Sequence, residues 1–477
     1  MIKIKQGLQF FVFLLLCLCA FSGLHAQSSR ALSEKAFIQV LLQNHPKARR
    51  AMLQREVGLL EINAAKGAFD PQVGAAFYRK EFQDKIYYNK LDAGLVQPFR
   101  FLGMDIQAGL ELNNGTFLNP ERNTPVAGLA YAGLKLPLLQ GMMMDRRRTD
   151  LQLSNLFKDR TDIQFADVQN DLLIDGLKAY WNLVKVQQKI QLLSGILENN
   201  RLVFQGIKLA FLQGDRPAID TVEAFQQYQR ILLQFNKEQI SMQSALNLLQ
   251  SYTFNESGGG MALQINIVPS EFGEALINTP ELKQMLEVQN LLDLHPGIRL
   301  LRNEADRLNT QLRWERERLK PRLDVHYNLL ADTGMSPLEQ TFFNDNYQVG
   351  VTLQFPLLFR NARARTEQFK IYIRQNQFAL SDEFNYLENA VEASTFAMNN
   401  LKEQVALAQS ITSDAKRLYD AEVTRFSLGE SSVFLVNTRE LQYLHAQNTL
   451  IDLQTEEIMQ TYRLMFDLGI LFRIVEY

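Results

Sequence analysis

Cysteine is almost missing from this chain of 477 residues: only Cys17 and Cys19 occur, both within the first 26 positions. Those positions read as a secretory signal peptide. Lys3 and Lys5 give a basic start, Leu8 to Phe21 an apolar run, and Leu24-His25-Ala26 a cleavage end. The run is too short for a permanent membrane helix, which needs about 20 residues. A mature chain starting near Gln27 would have no thiol, so neither disulfides nor thiolate–metal sites would hold it. Long apolar runs are missing too. No later segment reaches about 18 consecutive apolar residues, which excludes a transmembrane helix but not a β-barrel, whose strands escape hydropathy scans. Soluble secreted, periplasmic and β-barrel readings stay open on this ground. An excess of one charge is also missing: 50 Lys and Arg against 52 Asp and Glu leave a net charge of −2, without the basic field of a nucleic-acid binder. Beyond the leader, histidine is confined to His45, His295, His326 and His445, far apart and without an H-x-x-x-H pair, which argues against zinc. There is no Walker loop, G-x-S-x-G or cysteine nucleophile, and Gly258-Gly259-Gly260 precedes no phosphate-binding pattern. No catalytic, metal or cofactor-binding residue, and no cofactor, is expected.

What is present is a duplication. Leu42-Gln43-Asn44-His45-Pro46 is echoed by Leu292-Asp293-Leu294-His295-Pro296, and Phe69-Asp70-Pro71-Gln72-Val73 by Leu319-Lys320-Pro321-Arg322-Leu323, both offset by 250 residues. Leu136-Pro137-Leu138-Leu139 returns as Phe355-Pro356-Leu357-Leu358, and Phe211-Leu212-Gln213-Gly214-Asp215 as Phe426-Ser427-Leu428-Gly429-Glu430. The marks come in the same order twice, and the first half is longer between its second and third marks. The organisation read from this is a signal peptide over 1–26, a first repeat over 27–257, a linker over 258–279 and a second repeat over 280–477. Each repeat has a helix of about 35 residues before Pro71 or Pro321, then strands (72–136 or 322–355), a very long helix (142–213 or 360–428) and a return helix (217–250 or 431–470).

Leu323, Val325, Tyr327 and Leu329 alternate with polar residues, as do Tyr347, Val349, Val351, Leu353 and Phe355. Runs of about 9–10 residues suit tilted strands crossing an outer membrane. The first half adds runs near 73–79, 90–99, 104–113 and 126–136. In the last, Leu129 and Tyr131 fall on one face and Leu134 and Leu136 on the other, which suggests a bulge or a misplaced boundary. Leu172, Gly176, Ala179, Leu183, Val186, Ile190, Leu193 and Leu197 keep coiled-coil spacing, with Leu173, Leu177, Tyr180 and Val184 beside them. Leu441, Leu444, Asn448, Ile451, Thr455, Ile458, Tyr462 and Met465 do the same. Two seams on one helix predict neighbours on both sides. A helix over 142–213 would be about 108 Å long, so two short helices are expected end to end beside each long one. Trp181 and Trp314 read as packing residues. Arg146, Arg147 and Arg148 read as a solvated charge run or an interfacial anchor, and Arg313, Arg316, Arg318 and Lys320 as partners of the interleaved Glu315 and Glu317.

These marks resemble the TolC family of outer-membrane efflux proteins: the doubled His-Pro helix starts, Pro71-Gln72 before the first strand, Leu-Pro-Leu-Leu-Gln-Gly (136–141), Phe-Pro-Leu-Leu-Phe (355–359) and the doubled glycine turn. The resemblance covers essentially the whole chain beyond the leader. It implies an α+β membrane protein, a homotrimeric outer-membrane β-barrel continued by a long periplasmic α-helical coiled-coil barrel. Such a duct lies in outer-membrane lipid of a Gram-negative cell. It docks onto a periplasmic adaptor (membrane fusion) protein and an inner-membrane pump of the RND or ABC type, in efflux or type I secretion. The resemblance places the adaptor-docking tips at Leu212, Gly214, Asp215, Leu428, Gly429 and Glu430, and a pore constriction at Asp220 with Glu223 one turn on. Favourable charge at a helix start explains the same two acids. The matching position in the second repeat is Leu435. The family's four strands per copy leave a hairpin of the first repeat, from about Arg100 to Pro125, to join the barrel or decorate its rim. A structural periplasmic coiled-coil or adaptor protein is the alternative reading, and it leaves the alternating strands unexplained.

Overall fold

The computed structural model describes residues 32–255, 258–260, 272, 275–278, 291–334 and 346–476. The signal peptide and most of the linker assigned to 258–279 lie outside them. The first repeat comprises α1 (Glu34–Asn44), α2 (Pro46–Lys66), β1 (Gln72–Phe82), β2 (Lys85–Pro98), β3 (Asp105–Asn114), β4 (Leu129–Pro137), α3 (Arg146–Leu212) and α4 (Ala218–Gln250). The second comprises α5 (Pro296–Glu317), β5 (Arg322–Asp332), β6 (Tyr347–Gln354), α6 (Arg360–Ser427) and α7 (Val433–Asp467).

The helix expected before Pro71 is two helices. Proline disfavours the α conformation in the residue before it, and His45 is extended at φ −65°, ψ 131° between α1 and α2. Its Nδ1 accepts from the Lys47 amide at 3.2 Å, capping α2. His295 repeats the device before Pro296, with Nδ1 accepting from Gly297 at 3.1 Å. Only a neutral imidazole nitrogen can accept, and burial favours that form. It lowers the pKa of His45, with nearby Lys47 adding to the effect, and it brings His295 down to about 4 against a smaller opposing pull from Asp467. The doubled His-Pro motif is therefore a doubled N-cap.

The six strands of the described residues form one antiparallel sheet in chain order; the Arg100–Pro125 region is not a hairpin but holds the single strand β3, which joins the sheet between β2 and β4. One face carries Asp92, Gln107, Glu111, Lys135, Asn328 and Gln348, and the other Phe77, Leu95, Ile106, Leu134, Val351 and Leu353. No bulge interrupts β4, whose register is continuous on both sides. Leu134 and Leu136 follow the apolar face, and Tyr131 lies on the polar one. Its ring fills the space above Gly94 and Gly109, where a Cβ would come within 2.8 and 2.5 Å of the phenol oxygen. The one register shift falls at Lys80/Glu81. Gln83 and Asp84 both have positive φ and close the β1–β2 hairpin as a two-residue primed turn does.

The helices leave the sheet at one end and form a layer four wide. Near the sheet it contains α2, α3, α5 and α6; farther away α4 and α7 replace α2 and α5. The long helix of the first repeat starts at Arg146, four residues later than expected, because Asp145 caps it through the Arg148 amide at 2.8 Å. Its 67 residues span about 100 Å. Both expected seams are buried, Leu172 to Val186 and Leu173 to Val184 alike. The largest core lies midway, where α1, α3, the end of α4 and the end of α7 meet. There the buried Glu34 carboxylate accepts from Trp181 Nε1 (2.8 Å), Tyr462 Oη (2.7 Å) and the Leu276 amide (2.8 Å). Burial raises its pKa against those three donors. Trp181 is thus both packed and bonded.

Candidate tips, constriction and sheet lumen

The two turns at the far end of the helical layer have the same construction. The Gly214 amide donates to Phe211 O at 3.0 Å and the Asp215 amide to Ala210 O at 2.9 Å. The Gly429 amide donates to Phe426 O at 3.0 Å and the Glu430 amide to Arg425 O at 2.9 Å. This paired closure needs a left-handed residue after the helix, and φ is +86° at Gly214 and +79° at Gly429. No heavy atom would lie within 4 Å of a Cβ at either position. Leu212 is 70% exposed and Leu428 69%. Beneath the tips Ile207, Ala224 and Val433 pack together with Phe204 and Phe426. The six tip residues therefore form two equivalent exposed corners on one small core.

Asp220 and Glu223 lie together in the first turns of α4. The Asp220 carboxylate pairs with Arg216, Nη1 to Oδ2 3.5 Å, and the Arg216 guanidinium lies 4.7 Å from the Phe426 ring centre. Arg216 was readable as an i, i+4 partner and is missing from the sequence reading of this site. Glu223 has its pKa raised, first by partial burial and then by the Asp220 charge. Leu435, the counterpart of Asp220, starts α7 with its amide donated to Ser432 Oγ at 3.3 Å.

About 12 Å from the tip end of α6, taking the helix from Tyr419 to Ser427, the buried Glu440 carboxyl gathers all four helices of this level. It accepts from Asn200 Nδ2 at 2.9 and 3.0 Å, Gln227 Nε2 at 2.8 Å and Tyr419 Oη at 3.3 Å. Burial, foremost, and then Glu440 push the Tyr419 phenol above its ordinary pKa. No local pattern signals this node, because two partners are 213 and 240 positions distant.

At the other end, the polar face of the sheet is hollowed into a cavity lined by Glu111, Lys135, Arg322, Asp324, His326 and Gln348, among others. Gln107 donates across Gly133 to Asn328 at 2.8 Å, and Asn328 to Gln348 at 3.4 Å, so one row of amides crosses four strands. Where sheet meets helices, Arg147 pairs with Asp105 at 2.7 Å, and Arg148 donates to the Gly141 and Met142 carbonyls at 2.5 and 3.1 Å. Arg146 pairs with Asp150 at 2.8 Å. Arg148 thus braces the β4–α3 connection and Arg147 ties α3 to the start of β3, whereas Arg146 pairs within α3 and stays exposed. Arg318 pairs with Glu315 and Lys320 with Glu317, at 2.8 and 2.6 Å. Trp314 lines the cavity at this junction. Exposed aromatics flank the apolar face: Phe82 and Phe117 at the hairpin end, Phe101 and Phe355 at the helix end. Among the described residues no helix is long and apolar enough to cross a membrane, and no cluster of His, Cys, Asp and Glu could hold a metal.

Residues 288–469 match the sequence profile of the outer membrane efflux protein family. No curated protein matches the chain. Among solved structures, the fold is similar to the CmeC outer membrane channel of Campylobacter jejuni, at a TM-score of 0.61 and 12% identity over 92% of this chain and 86% of that one. CusC, described as forming a transmembrane channel, matches at a TM-score of 0.63 and 14% identity over 91% of each chain. The outer membrane protein VceC of Vibrio cholerae matches at 0.60 and 13% identity over 91% of this chain and 95% of that one. The second repeat thus carries the sequence profile of outer membrane efflux proteins, and the two repeats together share the fold of these outer-membrane channels.

Proposed function

We propose that three copies of this chain form one passive export duct through the outer membrane and periplasm. The observation that carries it is a sheet apolar on one face and polar on the other, continued by a helical layer about 100 Å long and open on both flanks. Leu53 and Leu60 on α2, Leu233 and Ile240 on α4, and Phe378, Phe396 and Ile411 on α6 are exposed along those flanks. Large exposed apolar surfaces mark contacts, and closed cyclic symmetry covers both flanks with copies of the same chain. The apolar sheet face, flanked by aromatics, suits lipid, and the polar face suits an aqueous lumen. A coiled-coil adaptor has no use for such a sheet.

In this reading the Gly214 and Gly429 corners dock onto a periplasmic adaptor, with Leu212 and Leu428 as the apolar anchors. The adaptor links the duct to an inner-membrane pump of the RND or ABC type, which supplies the energy. Asp220 and Glu223 narrow the resting tunnel. The described side chains assemble a conduit, and substrate passes through it without chemical change. Membrane fractionation with native mass determination in mild detergent tests the assembly. A trimer from the outer-membrane fraction is expected; a monomer, or recovery with the soluble periplasm, overturns it.

A further inference from the structure

The sheet has two bare edges. β1 is exposed along almost its whole length, and so is β6. Val73 and Phe77 are exposed on one edge, Val349 and Val351 on the other. Neither strand carries a proline or an inward charge at mid-strand, and the one bulge of β1 is near its hairpin end. Unprotected apolar edges of this kind pair with another strand, and in lipid an unpaired edge is not tolerated.

The register says how they meet. Moving squarely across the sheet from Gln72 passes through Val96, Gln107, Gly133 and Asn328 and arrives at Gln348. Gln348 is six residues above Gln354, where β6 ends beside the helices. The sheet is therefore staggered by six residues for six strands. Strand number and shear are then equal, which in a closed barrel gives a tilt of about 36°, inside the range of about 35–45° that barrels adopt.

We infer that the barrel of three copies has eighteen strands, β6 of each copy pairing antiparallel with β1 of the next so that Gln354 stands opposite Gln72. This rests on the trimeric reading above and departs from the four strands per copy that the family resemblance implies. The pairing keeps polar residues on one face, Gln72 with Gln354 and Gly74 with Thr352, and apolar residues on the other, Val73 with Leu353 and Ala75 with Val351.

Widths agree as well. Six tilted strands spaced about 4.8 Å apart occupy about 36 Å of circumference. Four helices spaced about 8–10 Å apart occupy about 32–40 Å. Four strands would cover only about 24 Å at the same spacing and tilt, leaving the helical ring wider than the barrel it must join. The eighteen-stranded closure is about 34 Å across, in the class that leaves an open aqueous channel.

Because both cysteines fall within the first 26 residues, pairs of new cysteines report cleanly. Val73→Cys with Leu353→Cys, and separately Gly74→Cys with Thr352→Cys, are oxidised in intact outer membranes and run without reductant. Adjacent pairs alternate between the wide and close spacing of an antiparallel ladder, so at least one should give covalent dimers and trimers that collapse on reduction. Ile106→Cys with Leu353→Cys should give none. A protein that is trimeric by native mass but links only through Ile106, or through no pair, overturns the eighteen-stranded closure and leaves the trimeric duct standing. A monomer overturns both.

Discussion

At the residue scale, Arg216 changes what Asp220 can do. Three bare carboxylates around an axis would attract cations and repel anions, with a reach of about 10 Å at 0.1 M salt. Each Asp220 instead has a guanidinium within 3.5 Å on its own helix start. The pair leaves Glu223, one turn on, with its pKa raised first by partial burial and then by the Asp220 charge beside it. Planar-bilayer recordings should therefore separate the two residues by sign. Asp220→Ala should lower cation selectivity and raise conductance, whereas Arg216→Ala should raise cation selectivity several-fold. Equal selectivity in both variants and the parent would reduce the pair to a helix-start ion pair of small electrostatic consequence. The acids stood out in the sequence through the family resemblance, which places a constriction six residues after the first tip glycine. The cation was legible too, four positions earlier, but the resemblance assigns a role only to the acids.

At the element scale, the helices were readable because their seams are long and local. Leu172 to Leu197 repeats over seven turns, and burial follows it closely. Strand faces were readable where one residue type held one parity, as in β5 and β6. β4 misled because Tyr131, an aromatic, sits on the polar face over two glycines from other strands. That substitution of ring for side chains spans three strands and leaves no trace in β4 alone. The break at His45 was carried by proline chemistry already visible in the sequence, while the Glu440 node depends on residues that only the folded layer brings together. The tip turns offer the cleanest test of an element. A β-branched residue at Gly214 or Gly429 meets no neighbour, so its cost is backbone strain of roughly 1–2 kcal/mol, confined to the corner. Gly214→Val and Gly429→Val should lower photo-crosslinking from Leu212 and Leu428 positions to an adaptor at least several-fold and reduce transport, with trimer yield unchanged. Undiminished crosslinking in both variants would place adaptor docking elsewhere.

At the scale of the whole molecule, the chain is an open segment. Its sheet, its helical layer and its polar hollow all stop at flanks that the same chain cannot close. That has a consequence for inheritance as well as for mechanics. A copy that keeps β1 and its own flank but has lost β6, for example by deletion of Tyr347–Gln354 alone, could still pair with one intact neighbour and would offer nothing to the next. Each such copy would remove two good ones from service. If intact and damaged genes are expressed equally and copies mix at random into threefold rings, only about one ring in eight contains three intact copies. Co-expression of a β6-deleted chain should accordingly cut export far below half, and efflux assays in a strain carrying both genes measure it directly. Export at half the parental level or above would mean that damaged copies are excluded before rings form. The open edges thus make this a gene in which one bad allele outweighs a good one.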